Sequence, residues 1–257
     1  MVITLPVSRL EVEVLPPRGT DDVFLLEAPS LDARLALALL SRLVCPTDGT
    51  EVRWGALTLT DLDAVLLVLR RKIIGDWIRT DTLCPTQGCG ARINVSFQIS
   101  HYLEHHRPRP ARNVELADEG WYHLRGTPVS FRLPQGDDLV AVAGSPAPKR
   151  SLALRCIRPA ELKWPLLGRV ERAMEALAPN LAGDMQGLCP ECAAEVDLYF
   201  DPQWFALHEL LDRAAFIYED VHLLAYHYHW SQEEILELPS HRRMQYTDMI
   251  RRERSVA

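Results

Sequence analysis

The sequence predicts an α+β fold: two related small α/β units joined by a four-cysteine zinc knuckle pair, with a helical hairpin added at the C-terminus. Three observations predict it. Residues 83 to 97, LCPTQGCGARINVSF, and 188 to 200, LCPECAAEVDLYF, are one phrase written twice. A two-residue gap between the first pair of thiols puts Cys84 over Cys189, Cys89 over Cys192, Ala91 over Ala194 and Phe97 over Phe200. Upstream of each, VEVLPPRGTDDV (12 to 23) and VSFRLPQGDDL (129 to 139) share an alternating run, a Leu-Pro, a Gly and an Asp-Asp pair. The composition, 47% hydrophobic and 25% charged over 257 residues, leaves room for one large core or two small ones. The boundaries that follow are 1 to 108 for the first unit, 109 to 120 for a linker, 121 to 204 for the second unit and 205 to 257 for a C-terminal docking region.

Taken in order, Asp21/Asp22 and Asp137/Asp138 follow Pro-Gly turns and are placed to cap helix N-termini. A helix is expected over 31 to 44, ending at Cys45-Pro46. Thr60 is placed to cap the next, in which Leu62, Val65, Leu66, Leu69 and Ile73 fall at helical spacing and Gly75 supplies the C-cap. Each Cys-Pro turn then feeds an alternating apolar run, as a metal knuckle leading into a strand does. The phrases FQISHYLEHH and FDPQWFALHE follow at a constant offset, reading as strand exit and helix start. In the second unit, 151 to 159 answers the first helix and puts Cys156 near the place of Cys45; 169 to 179 answers the second, shortened at Trp164-Pro165. The stretch RPRPARNVELADEG between the units suits a linker. From Phe205 a long helix is expected, then a second one that Ser231 and Glu234 open as a capping box and Pro239 stops, then a basic amphipathic tail.

Six cysteines in a chain whose N-terminus, MVITLPVSRLEVEV, carries no secretion signal favour thiols or metal over disulfides. Four thiolates at knuckle spacing fit a tetrahedral ion, so Cys84, Cys89, Cys189 and Cys192 are expected to hold one structural zinc if the copies pack about a pseudo-twofold. Otherwise each pair needs two further ligands, and His101, His105 and His106 are the nearest for the first. A site closed by four sulfurs offers no position for water or substrate, and no phosphate loop, nucleophile elbow or Cys-His constellation is legible. HELLD at 208 to 212 lacks the second His of a metalloprotease helix, and His222, His227 and His229 do not share one helix face. No run approaches the ~18 apolar residues of a membrane span. The net charge of −7 argues against a nucleic-acid backbone as the main partner, although the last helix carries five arginines.

The segment LTLTDLDAVLLVLRRKIIGD (57 to 76) resembles the baseplate hub assembly family of T-even phages, at Leu59, Asp61, Leu69, Arg70, Lys72 and Gly75-Asp76. The resemblance covers about 90 residues of the first unit; the cognate helix of the second lacks the Arg-Lys and Gly-acid ending. Residues 221 to 243 are similar to a short helical motif of small proteins from phage tails and contractile injection systems, with its core at Ala225 to Ser231 and Glu233-Glu234-Ile235. The resemblance implies a non-enzymatic baseplate component or assembly factor, made in the bacterial cytoplasm and either carried into the particle or released after assembly, with other tail proteins as partners and neither membrane nor small-molecule substrate. Tyr226, Tyr228 and Trp230, followed by Arg242 and Arg243, have the aromatic anchors and polar rim of a partner-binding surface. The alternative is a zinc-ribbon nucleic-acid binder, and a metalloenzyme would need an open metal position.

Overall fold

The computed structural model describes residues 2–117, 120–159 and 164–256. The chain is α+β, with several small sheets. In order it forms β1 (Val2–Thr4), β2 (Glu11–Val14), α1 (Gly19–Leu26), α2 (Ala33–Leu43), β3 (Val44–Pro46), α3 (Leu59–Ile74), β4 (Trp77–Leu83), β5 (Arg92–Gln98) and α4 (Ile99–His105). Next come β6 (Val114–Leu116), β7 (Trp121–Leu124), β8 (Ser130–Arg132), α5 (Gly136–Val142), α6 (Pro148–Cys156), β9 (Ile157–Arg158), α7 (Trp164–Leu177), β10 (Gly183–Leu188) and β11 (Glu195–Phe200). The C-terminal part is all helix: α8 (Pro202–Ala214), α9 (Ile217–Tyr228), α10 (Gln232–Glu237) and α11 (Ser240–Val256). Two compact units result, one from Met1–Ile3, Glu11–Val52 and Trp204–Ala257, the other from Thr4–Leu10 and Arg53–Gln203. These units cut across the boundaries read from the repeat, because the N-terminal segment packs with the C-terminal helices.

In the first unit, β2 pairs antiparallel with β3, Val12 facing Pro46 and Val14 facing Val44. Helix α1 opens with a reciprocal cap in which Asp21 accepts the Arg18 amide (2.9 Å), and Asp21 also takes Arg42 Nε of α2 at 3.0 Å. Asp32 caps α2 by accepting the Arg34 and Leu35 amides. The long helix expected from Phe205 is broken in two at Ala215-Phe216, where no Gly or Pro marks the break in the sequence. Ser231 and Glu234 form the capping box of α10, and the Ser240 amide at the start of α11 donates to Pro17 O (2.8 Å). Leu223, Leu224, Ile235 and Ile250 form the core that joins α9, α10 and α11.

The second unit is built on α3, buried without interruption from Thr60 to Arg70. Its N-cap is Thr58, whose hydroxyl accepts the Asp61 amide. Thr60 was the expected cap; it lies inside the helix, and its buried hydroxyl donates to Pro179 O at 2.9 Å. Gly75 ends the helix at φ +122°, a conformation open to glycine. The residues that carry the phage resemblance turn out to fasten this helix. Asp61 accepts the Val7 and Ser8 amides, Arg70 donates to Gly75 O, and Asp76 accepts the amide and hydroxyl of Ser100.

Beside α3 lies a four-stranded sheet in the order β6-β7-β8-β9. Leu124, Phe131, Ile157 and Val170 join it to α7 in a second core. The segment expected to be an unpacked linker contributes β6, its Ala111 and Val114 pack against this core, and the Arg109 amide donates to Ala176 O at 2.6 Å; its Asp118 and Glu119 lie outside the described residues. An alternating Val-Glu-Leu can pair with β7, and that pairing outweighs the prolines before it. Helix α5 repeats the cap of α1: Asp138 accepts the Gln135 amide (3.0 Å) and takes Arg155 Nε of α6 at 2.8 Å. Asp21 and Asp138 thus play the same part in their helices. Cys45 lies in β3, opposite Glu13, and Cys156 ends α6 just before β9, where Ile157 faces Phe131.

Candidate metal centre

Two antiparallel hairpins of the second unit carry the cysteines. In the first, β4 and β5 pair from Trp77↔Gln98 to Leu83↔Arg92; in the second, β10 and β11 pair from Gly183↔Phe200 to Leu188↔Glu195. Cys84 and Cys189 each sit one residue past the end of the ladder and extend it by one bond. The Cys84 amide donates to Ala91 O and the Cys189 amide to Ala194 O, both at 2.9 Å. Alternation explains why the thiols turn inward: Leu83 and Leu188, one residue earlier, point out and are 65% and 66% exposed.

After the second cysteine of each pair the backbone turns left-handed, at Gly90 (φ +58°) and at Ala193 (φ +57°). Glycine adopts this conformation freely, whereas an L side chain costs about 1–2 kcal/mol there. Replacing Ala193 by Gly is expected to stabilise the metal-loaded protein by about 0.5–1 kcal/mol, part of the gain being offset by the freer unfolded chain. Urea unfolding with metal present checks this, and an unchanged or lower midpoint would contradict the strain at Ala193.

The four Sγ atoms all lie within 4.8 Å of one another. The closest approaches are Cys84 to Cys192 at 3.6 Å and Cys89 to Cys189 at 3.8 Å, far beyond an S–S bond of ~2.05 Å. Four sulfurs placed tetrahedrally at ~2.3 Å from a zinc ion stand about 3.8 Å apart, a spacing that the two closest pairs match and that the rest of the set, all within 4.8 Å, approaches. The contacts are also exchanged: the first cysteine of each hairpin meets the second of the other. Phe97 and Phe200, at matching positions, meet edge to face at 5.1 Å. A local twofold axis produces this pattern of exchanged and self-paired contacts.

The site's electrostatics ask for a cation. The Thr86 hydroxyl, then its amide, bring the Cys84 thiol down to about 6. Cys89, although an Ala91 amide bond lowers it, is pushed up to about 12 by Cys192, burial and the other sulfurs. Sulfurs this close cannot all ionise without a positive charge between them, and a bound divalent ion removes that restriction. Apolar groups packed against them are Ala91, Ile93, Ala194 and Val196. No family model, curated protein or solved structure matches the chain.

The cluster of four sulfurs does not include the neighbouring histidines: His106 Nδ1 lies 2.8 Å from Tyr102 O, and His105 meets His106 edge to face. The residues expected at a partner surface divide. Tyr226 and Tyr228 are 67% and 37% exposed and Arg242 is exposed, while the half-buried Trp230 packs on Tyr246, which Tyr228 also meets, with ring centroids at 5.1 and 5.9 Å. Arg243 is 3% exposed and is enclosed by Asp22 and Asp220, so it belongs to the interior of its unit and not to a rim. Helical periodicity places it on the buried face of α11 with Thr247 and Ile250, a face that its charge conceals. Tyr218 lies eight residues before Tyr226 on the same exposed face of α9, with His222 between them, and its hydroxyl donates to Glu27 at 2.8 Å.

Proposed function

We propose that the chain is a non-enzymatic structural or assembly protein of a contractile phage-like tail or injection-system baseplate, in which the four cysteines hold a structural zinc. The observation that carries the non-enzymatic half is the closed sulfur set: four thiolates fill a tetrahedral ion and leave no position for water or substrate. The tail setting rests on the resemblance of residues 57 to 76 and 221 to 243. An internal duplication is the simplest account of the matching knuckle bonds, the Gly90/Ala193 turn and the paired Asp21–Arg42 and Asp138–Arg155 contacts.

On this reading partners meet the exposed face of α9 at Tyr218 and Tyr226. The test is affinity capture of the tagged chain from the producing cell, compared with the protein content of purified particles. Tail or baseplate proteins should come down with the wild type and be lost with Tyr218→Ser/Tyr226→Ser, while metal content stays unchanged. Capture that survives both substitutions would remove the docking assignment. Recovery of nucleic acid alone, released by moderate salt, would favour the zinc-ribbon reading that the net charge of −7 disfavours.

A further inference from the structure

The second unit holds a cavity of about 560 Å³ between the segment before β6 and one face of α7. Four arginines line it: Arg109 and Arg112 on one wall, Arg169 and Arg172, one helical turn apart, on the other. Its apolar lining includes Leu124 and Ala173, both buried in the α7 core. The walls are tied together, because the Arg109 amide donates to Ala176 O of α7 and Ala111 packs on the same core. The backbone of both walls is therefore fixed, and the exposed side chains of Arg109, Arg112 and Arg172 reach from it.

Its charge is concentrated: four arginines border one cavity. Many arginines of this acidic chain are matched with carboxylates, Arg42 with Asp21, Arg92 with Asp81, Arg125 with Glu115, Arg132 and Arg155 with Asp138, while others sit singly on different partners, Arg158 over the Trp121 ring and Arg213 on Met244. Among the described residues, Arg109, Arg112 and Arg172 have no acidic partner, and Arg169 bonds only to a carbonyl, Arg125 O at 3.4 Å. Several guanidinium groups around one cavity repel one another, and an anion of matching charge relieves that repulsion.

We propose that this cavity binds a small organic diphosphate. A carboxylate is filled by a single guanidinium fork, whereas a phosphate with three free oxygens accepts two. Two pairs of arginines on opposed walls thus suit two linked phosphates, and the apolar lining suits the body of the molecule that carries them. The volume is that of a small-molecule site. Paired phosphates also occur along a nucleic-acid backbone, but the net charge of −7 gives no field to draw in a polymer. Among the described lining residues there is no carboxylate, histidine or cysteine, so the side chains that face the ligand are binding groups.

Calorimetric titration of the metal-loaded full chain tests this with inorganic pyrophosphate, a nucleoside diphosphate, orthophosphate, citrate and duplex DNA. Pyrophosphate and the nucleoside diphosphate are expected to bind one per chain, at least tenfold more tightly than orthophosphate or citrate. Arg109→Ala and Arg172→Ala should each weaken them at least tenfold, Arg172→Lys should fall between, and Arg242→Ala should leave them unchanged. Absence of saturable binding, equal binding of citrate, or indifference to both alanine variants would overturn the proposal. Binding of DNA alone, falling steeply with salt, would overturn it in favour of a backbone contact. Failure here leaves the capture result on α9 unaffected, so the two readings fall separately.

Discussion

Replacing Cys189 by Ser is expected to destabilise the second unit by several kcal/mol and to abolish stoichiometric metal. The magnitude follows from what else holds the two hairpins together. At the cysteine end the hairpins share a small apolar cluster of Ala91, Ile93, Ala194, Val196 and the cysteines, and further along the ribbons Phe97 meets Phe200; the cysteine end itself has little apolar surface to hold it without a metal. A structural zinc contributes on the order of 10 kcal/mol where it nucleates a small domain. Here the unit has buried cores of its own on α3 and α7, and about 3–5 kcal/mol is the share expected from the hairpin ends, or roughly 10 °C in Tm. Metal analysis should find one zinc per chain in the wild type. A strong chelator should lower the wild-type Tm and leave Cys189→Ser unmoved, while Cys45→Ser, remote from the cluster in sequence register, serves as the neutral control. Two zinc ions per chain, or a wild type indifferent to chelation, would remove the shared site.

That prediction draws on the part of the fold most legible in the sequence. A repeated Cys-Pro knuckle ahead of an alternating run specifies a ligand pair and a strand together, so Cys84, Cys89, Cys189 and Cys192 could be gathered before any coordinates. Short-range chemistry was legible for the same reason: Gly75 at φ +122° and the Ser231–Glu234 capping box depend on residues within one turn. Choices decided by distant partners were not. Thr58 and Thr60 are equally plausible caps in sequence, and the Pro179 carbonyl, far along the chain, decides which hydroxyl turns inward. The prolines of 108 to 110 favour an open linker locally, yet Val114 to Leu116 finds β7. The association of residues 11 to 52 with the C-terminal helices has no local signal at all. It resembles, however, a joint inside the other unit: Ser240 N meets Pro17 O as Leu59 N meets Pro134 O, at matching places in the two Leu-Pro turns.

Arg243 supplies the second large effect. Its Nε donates to Asp220 at 3.1 Å, a terminal nitrogen bonds Asp22, and Ser240 Oγ donates to the same Asp22 oxygen at 3.0 Å. Both aspartates and the arginine are buried, and the remaining Nη1 has no partner among the described residues. Breaking a buried charge set by removing one member costs about 3–5 kcal/mol, because the groups left behind are uncompensated. Arg243→Met is expected to lose that much and to speed amide exchange through α10 and α11. The pH dependence separates the cause. Burial raises Asp22 above the usual carboxylate value, against the opposing pull of Arg243 and, more distantly, Arg213. A carboxyl raised in the folded state contributes stability below its unfolded pKa, and that contribution is lost as pH rises through the folded value. Without Arg243 the folded value climbs further, so the deficit of Arg243→Met should widen from pH 4 to pH 7. The triple change Asp22→Leu/Asp220→Leu/Arg243→Met removes every charge and should recover most of the loss, as apolar replacement of buried ion pairs often does. A deficit below 1 kcal/mol that ignores pH would return Arg243 to the surface and to a partner; a large, pH-dependent one makes it the pin of the unit that brings both ends of the chain together.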